Sequence, residues 1–189
     1  MAGHRFNPDK ADKLLSDERK KRLPADGVLK KMDLHPQDVA ADLGAGNGYF
    51  TIPIAQFTKN TVYAVDIEPK MIEMLKDRAA AEQLHNIREV TSGLEEIPIG
   101  DHTVDKVLIS FVLHEVPSIQ NTLDEIKRML KPDGMLFLIE WEPVEMEDGP
   151  PLHERISSEK LAEILQKQGF TTEVLQLNSV NYAVKAKLA

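Results

Sequence analysis

The sequence predicts an α/β fold in three layers, a mostly parallel sheet covered by helices on both faces, and three observations carry that expectation. Short apolar runs alternate with helix-like segments from residue 39 to residue 139. A glycine-rich turn follows the first of those runs, and the last two runs come with no helix between them, the pattern of a terminal antiparallel hairpin.

Taken in order, Ala11, Leu14 and Leu15 stand at helical spacing within residues 9–22, and Pro24 opens a second short helix through Val28, Leu29 and Met32. Residues 1–35 are expected to form a helical cap on a core spanning 36–187, the whole 1–189 being one domain. Val39–Leu43 is short, apolar and stopped by Gly44, as a buried strand is. A helix through Ile52, Ile54 and Phe57 follows, then a strand over Thr61–Asp66, a helix over Pro69–Gln83 and a strand over Asn86–Thr91. Val104–Phe111 is a further apolar run, Ile119–Leu130 is amphipathic, and Gly134 introduces the strand-like Met135–Ile139. The end of the chain reads as a helix over Ser157–Gln168 and strands over Thr171–Leu177 and Val180–Lys187, after an irregular acidic segment from Glu142 to Arg155.

Composition narrows the function. At 189 residues, 42% hydrophobic and 29% charged, the chain is of ordinary globular character. It contains no cysteine, which removes disulfides, thiolate metal sites and cysteine nucleophiles. No run approaches a membrane span, and a cytoplasmic location is expected. The net charge of -8 opposes nucleic-acid binding. Arg19-Lys20-Lys21-Arg22 lies among acids and reads as a solvated helix face. No histidines or acids stand at metal-ligand spacing.

The strongest motif is Asp42-Leu43-Gly44-Ala45-Gly46-Asn47-Gly48, between a strand and a helix. Glycines there let backbone approach a ligand, and the helix start offers free N–H groups. The second strand ends in Asp66, which can accept from both hydroxyls of a ribose; the plainer alternative is a helix N-cap. Tyr49 stands where a dinucleotide fold wants a third glycine, disfavouring NAD, and Tyr-Phe-Thr after Gly48 excludes a Walker loop.

With those residues in view, VAADLGAGNGYFT, YAVDIEP, GLEEIP, VDKVLISFVLHEV and LKPDGMLFLIEW resemble the successive motifs of class I S-adenosylmethionine-dependent methyltransferases, over roughly residues 36–187. The branch most similar holds the small-molecule enzymes, including the ubiquinone and menaquinone methylases. The resemblance implies a Rossmann-like sheet of seven strands, S-adenosylmethionine as cofactor, S-adenosylhomocysteine as product and a small-molecule acceptor. It places Gly44, Ala45 and Gly46 under the methionine part, Asp42 near its ammonium, Asp66 on the ribose, Ile67 beside the adenine with Gly93 and Leu94 at its edge, and Ser110 or Phe111 on the floor. Many relatives carry an aspartate at the position of Gly93, so that side-chain contact is missing here.

Methyl transfer mainly requires alignment of the acceptor atom, with a base only where a proton must leave. His114 is the candidate base, against a structural turn as the plainer reading; Glu140 and Trp141 end the fifth strand and Phe6 lies in the cap, all three as candidate acceptor contacts, with Trp141 equally readable as a core residue. His153 and Arg155 lie in the irregular segment and are candidates for meeting an anionic acceptor. The absence of cysteine excludes cytosine C5 and arsenite methylases. Ser110-Phe111-Val112-Leu113 is not the Asn/Asp-Pro-Pro-aromatic signature of amino-methylating DNA enzymes, and the metal-binding acids of catechol-type enzymes are absent. The alternative from another class is a non-catalytic nucleoside-binding module.

Overall fold

The computed structural model describes residues 7–146 and 149–189. A seven-stranded sheet runs in the order β3-β2-β1-β4-β5-β7-β6, built from β1 (Ala40–Leu43), β2 (Val62–Asp66), β3 (Ile87–Thr91), β4 (Val104–Ser110), β5 (Leu130–Trp141), β6 (Phe170–Gln176) and β7 (Asn181–Leu188). The first five strands pair parallel, and β7 lies antiparallel between β5 and β6. The fold expectation holds, terminal hairpin included.

Six α-helices accompany the strands: α1 (Asp17–Arg22), α2 (Ala25–Lys31), α3 (Thr51–Phe57), α4 (Pro69–Ala81), α5 (Ile119–Met129) and α6 (Ser158–Lys167). Their limits follow from local chemistry. Pro69 starts α4, where its missing N–H costs nothing, and the Ser118 and Ser157 side chains accept from the amides of Asn121 and Lys160 to cap α5 and α6. Leu123, Ile126 and Met129 make one buried face of α5, each worth about 1.5–3 kcal/mol of removed apolar surface.

Both sheet faces are covered. Leu23, Val28, Met32, Phe50 and Ile54 pack on Phe137 and Ile139 on one side; Leu113, Leu123, Ile126, Leu161 and Leu165 pack on Leu136, Leu138 and Tyr182 on the other. Residues 92–103 carry no helix. Arg128 fastens them instead, donating to the carbonyls of Ile97 and Ile99 while Glu125 accepts from the Ile97 amide.

Three features differ from the sequence reading. Residues 9–22 are not one helix but a 3-10 turn over Pro8–Leu15 and then α1, because Ser16 adopts extended backbone and caps the new helix by accepting from the Arg19 amide at 3.2 Å. β5 begins at Leu130 rather than Met135, since Leu130 pairs with Val104 ahead of a register shift. The basic run is not a uniformly solvated face: Lys20 and Lys21 are exposed, whereas Arg19 turns inward.

β1 lies between β2 and β4, so the strand order reverses there and a crevice opens at the carboxyl ends of the strands.

Candidate cofactor and acceptor site

The glycine loop leaves β1 at this crevice. Gly44 has φ +76°, and a Cβ there would lie 2.3 Å from Val112 Cγ2, so glycine is demanded by the loop after β4 as well as by the turn. Gly46, at φ +53°, faces Leu14 of the N-terminal turn, whose Cδ1 lies 3.2 Å from a notional Cβ. Ala45 is buried between them.

Two carboxylates flank the loop. Asp42 is 2% exposed and accepts from the Thr51 hydroxyl at 2.6 Å. Burial pushes its pKa up to about 6, against the pull of Thr51 and Arg19 and with the repulsion of Asp66 added. Asp66 accepts from the Gly46 amide at 2.7 Å and from the Glu68 amide at 2.9 Å, and burial raises its pKa too. It is not the N-cap of α4, a position held by Glu68 without a side-chain bond. Asp66 thus stitches the first two strand ends together, leaving further lone pairs for a ribose.

Ile67, 47% exposed, is an uncovered apolar side chain beside this acid. Leu94 is buried next to Gly93, where an added Cβ would meet nothing closer than Ile67 Cδ1 at 3.9 Å; the missing aspartate is a loss of contact and not a steric necessity. Ile67 and Gly93 are thus neighbours at the ends of β2 and β3, beyond Asp66.

The β4 end supplies the floor. Ser110 is buried, and Phe111 holds a left-handed φ of +61°, an uncommon conformation for an aromatic residue and of the kind found at functional sites. Its ring stacks tilted on Trp141 with centroids 4.8 Å apart. The Trp141 indole also receives the guanidinium of Arg22 at 5.1 Å and of Arg155 at 5.8 Å. Arg155 donates to the carbonyls of Pro150 and Val144 and so folds the irregular segment back on itself. His153 is largely exposed on its short turn and is not brought to the crevice. Phe6 lies outside the described residues.

On the other side of β5, His114 Nδ1 lies 3.0 and 3.1 Å from the two Glu140 oxygens. Both side chains are almost wholly buried, at 3% and 0% exposed. Nε2 stands 3.8 Å from Glu115, beyond hydrogen-bond reach. Desolvation pulls the His114 pKa down, but the Glu140 bond and the charges of Glu140, Glu115 and Glu154 outweigh it, and the net shift is upward. Tyr182 pairs with Glu140 across the ladder and spends its hydroxyl on the Ile156 carbonyl. The plain structural-turn reading left out this carboxylate partner.

Four buried polar atoms on or beside this crevice lack a hydrogen-bond partner among the described residues: Arg19 Nε, Asn47 Oδ1, Ser92 Oγ and Ser110 Oγ. Buried polar atoms are rarely orphaned, and a polar ligand along the strand ends would satisfy them. The residues present therefore fit a nucleoside amino acid. Of these four, Asn47 stood within the glycine motif and Ser110 among the floor residues, whereas Arg19 looked like one more charge in a mixed run. Among the described residues no cluster of His, Asp or Glu suits a metal ion, and no helix is long and apolar enough to cross a membrane.

This geometry, a nucleoside crevice over a seven-stranded sheet with a reversed end strand, defines a class, and the chain belongs to the methyltransferase-domain family, whose model matches residues 41–138. Among characterised relatives, it is 27% identical over 134 residues to the demethylmenaquinone methyltransferase of Geobacillus stearothermophilus, covering 70% of this chain and 57% of that protein. The enzyme of the same name from Staphylococcus saprophyticus is 33% identical over 115 residues, covering 60% and 48%. The chain thus spans about half the length of the curated relatives it matches. A solved SAM-dependent methyltransferase from Aquifex aeolicus superposes with a TM-score of 0.92 at 28% identity, covering 98% of this chain and 100% of its own.

Proposed function

We propose that this protein transfers the methyl group of S-adenosylmethionine to a small aromatic acceptor of the quinone class in the cytosol, releasing S-adenosylhomocysteine. The observation that carries the reading is the row of partnerless buried polar atoms beside the glycine loop and Asp66, which calls for a ligand with ribose and amino-acid groups. The quinone class rests on the two demethylmenaquinone methyltransferases, with the tilted Phe111–Trp141 aromatic pair at the strand ends as the side chains that suit a ring.

When bound, the cofactor supplies an electrophilic methyl on a sulfonium leaving group. Asp66 takes the ribose hydroxyls, Ile67 and Leu94 flank the adenine, and Gly44, Ala45 and Gly46 pass beneath the methionyl part near Asp42. Phe111 and Trp141 hold the acceptor plane, fixing its nucleophilic atom in line with the methyl–sulfur bond. Glu140 orients His114 so that Nδ1 carries the proton and Nε2 is left as the basic nitrogen. His114 then takes the acceptor proton as the new bond forms, and Glu140 stabilises the imidazolium.

The test is transfer of radiolabelled methyl from S-adenosylmethionine to a panel of naphthohydroquinones, with His114→Ala and Glu140→Gln alongside. Transfer is expected, His114→Ala losing about 10²–10⁴-fold in kcat. Glu140→Gln should move the acid limb of the pH–rate profile downward, since it removes the group that raises the histidine. Cofactor binding without turnover across the panel and a metabolite extract would replace the enzyme by a binding module.

A further inference from the structure

Arg19 is a half-buried cation without a carboxylate partner among the described residues. Its guanidinium carbon lies 4.9 Å from the Tyr49 ring centroid and 5.3 Å from that of Phe111, so it is held between the residue after the glycine loop and the residue closing β4. Nε is sealed from solvent and unbonded. Desolvation lowers its pKa to about 10, the neighbouring Arg22 adds to the lowering, and the charges of Tyr49 and Asp42 oppose it. Asp42 and Arg19 feel each other's field, yet Asp42 spends its hydrogen bond on Thr51. A buried acid and a half-buried cation that lie within each other's field and are unpaired form a template for a zwitterion, with ammonium toward the acid and carboxylate toward the guanidinium.

The N-terminal segment around Arg19 is fastened to the cofactor side at several points. The Ala11 carbonyl accepts from Asn47 Nδ2 at 2.9 Å, Leu14 covers Gly46, and Asp9 pairs with Lys70 at 2.7 Å. Arg22, three residues after Arg19 in α1, reaches across to Trp141 on the acceptor side. A single helical turn therefore touches both halves of the crevice.

We propose that Arg19 receives the carboxylate of the cofactor's methionyl group, and that α1, which also carries the Arg22–Trp141 contact, thereby links cofactor binding to the acceptor side. The inference rests on the cofactor reading above and adds to it a ligand carried by the cap.

Titration calorimetry compares S-adenosylhomocysteine with its decarboxylated analogue, which keeps the ammonium and the adenosine, on wild-type protein, Arg19→Ala and Arg19→Lys. The expected result is that wild type prefers the carboxylated ligand at least about tenfold. Arg19→Ala should abolish that preference while binding the analogue as wild type does, and Arg19→Lys should restore part of it. Trypsin cleavage within residues 17–22 should be slowed by S-adenosylhomocysteine and not by the analogue. Equal weakening of both ligands by Arg19→Ala would overturn the proposal in favour of a structural arginine. Unchanged binding of S-adenosylhomocysteine would overturn it too, leaving that cation to an acceptor carboxylate. Wild-type protein that binds neither ligand would sink the cofactor reading itself.

Discussion

The two halves of the crevice are built by different means. On the cofactor side the contacts come from one strand–turn–helix and the end of the next strand: Gly44, Gly46 and Asp66 are tied to each other by backbone, the Gly46 amide resting on the Asp66 carboxylate. On the side proposed for the acceptor the contacts are made by separated side chains, with Phe111 after β4, Trp141 and Glu140 at the end of β5, Arg22 from the cap and Arg155 from the segment before α6. The first half is a local device that depends on backbone geometry, and the second is a tertiary one that depends on the cap being in place. Changes in the first should therefore cost stability and cofactor binding together, and changes in the second should spare cofactor binding.

The largest effect is expected at Gly44. Alanine there meets Val112 and is forced into a left-handed backbone, so Gly44→Ala should lower stability by about 2–4 kcal/mol in denaturant titrations. Adding Val112→Ala should recover part of that loss. Failure of the second change to help would place the strain in the turn alone.

Next in size is a pH effect on the cofactor side. Asp42 is raised to about 6 from 3.8, so the folded protein holds a proton that the unfolded chain has already lost. Stability should fall as pH rises from about 4 to 6, by about 3 kcal/mol at most, and stay flat above. Asp42→Asn should remove that slope in melting curves.

The acceptor side offers the matching case with a separate window. The raised pKa of His114 contributes stability that is full below the unfolded value of 6.5 and is lost as pH climbs through the folded value. Glu140→Gln should flatten the profile above pH 6.5 and leave binding of S-adenosylhomocysteine unchanged. A binding loss there would erase the division between the halves.

The smallest effect is expected at the cap's outer tie. Asp9 and Lys70 are well exposed, and an ion pair of that kind adds little to stability. Lys70→Ala should leave the melting temperature within error, at low and high salt alike.

The same contrast explains what could be read without coordinates. Strand and helix order, the terminal hairpin and the Gly44–Asp66 half were legible because each depends on spacing over a few residues. Arg19 was hidden because a guanidinium held against Tyr49 and Phe111 has the same neighbours in sequence as a solvated one. The His114–Glu140 pair joins residues 26 apart through adjacent strand ends, a proximity that only strand register reveals. Ser16, which breaks the first helix, carried the signal of an N-cap within an otherwise continuous apolar pattern.

Calorimetry decides whether the crevice takes an adenosyl ligand. S-adenosylmethionine and S-adenosylhomocysteine, with NAD as control, would be titrated into wild-type protein and into Asp66→Ala. Binding of both adenosyl ligands, none of NAD, and at least a hundredfold loss in a folded Asp66→Ala would agree with the account, on the order of 3 kcal/mol for an acid holding two hydroxyls. A folded wild-type protein that binds neither adenosyl ligand would contradict it.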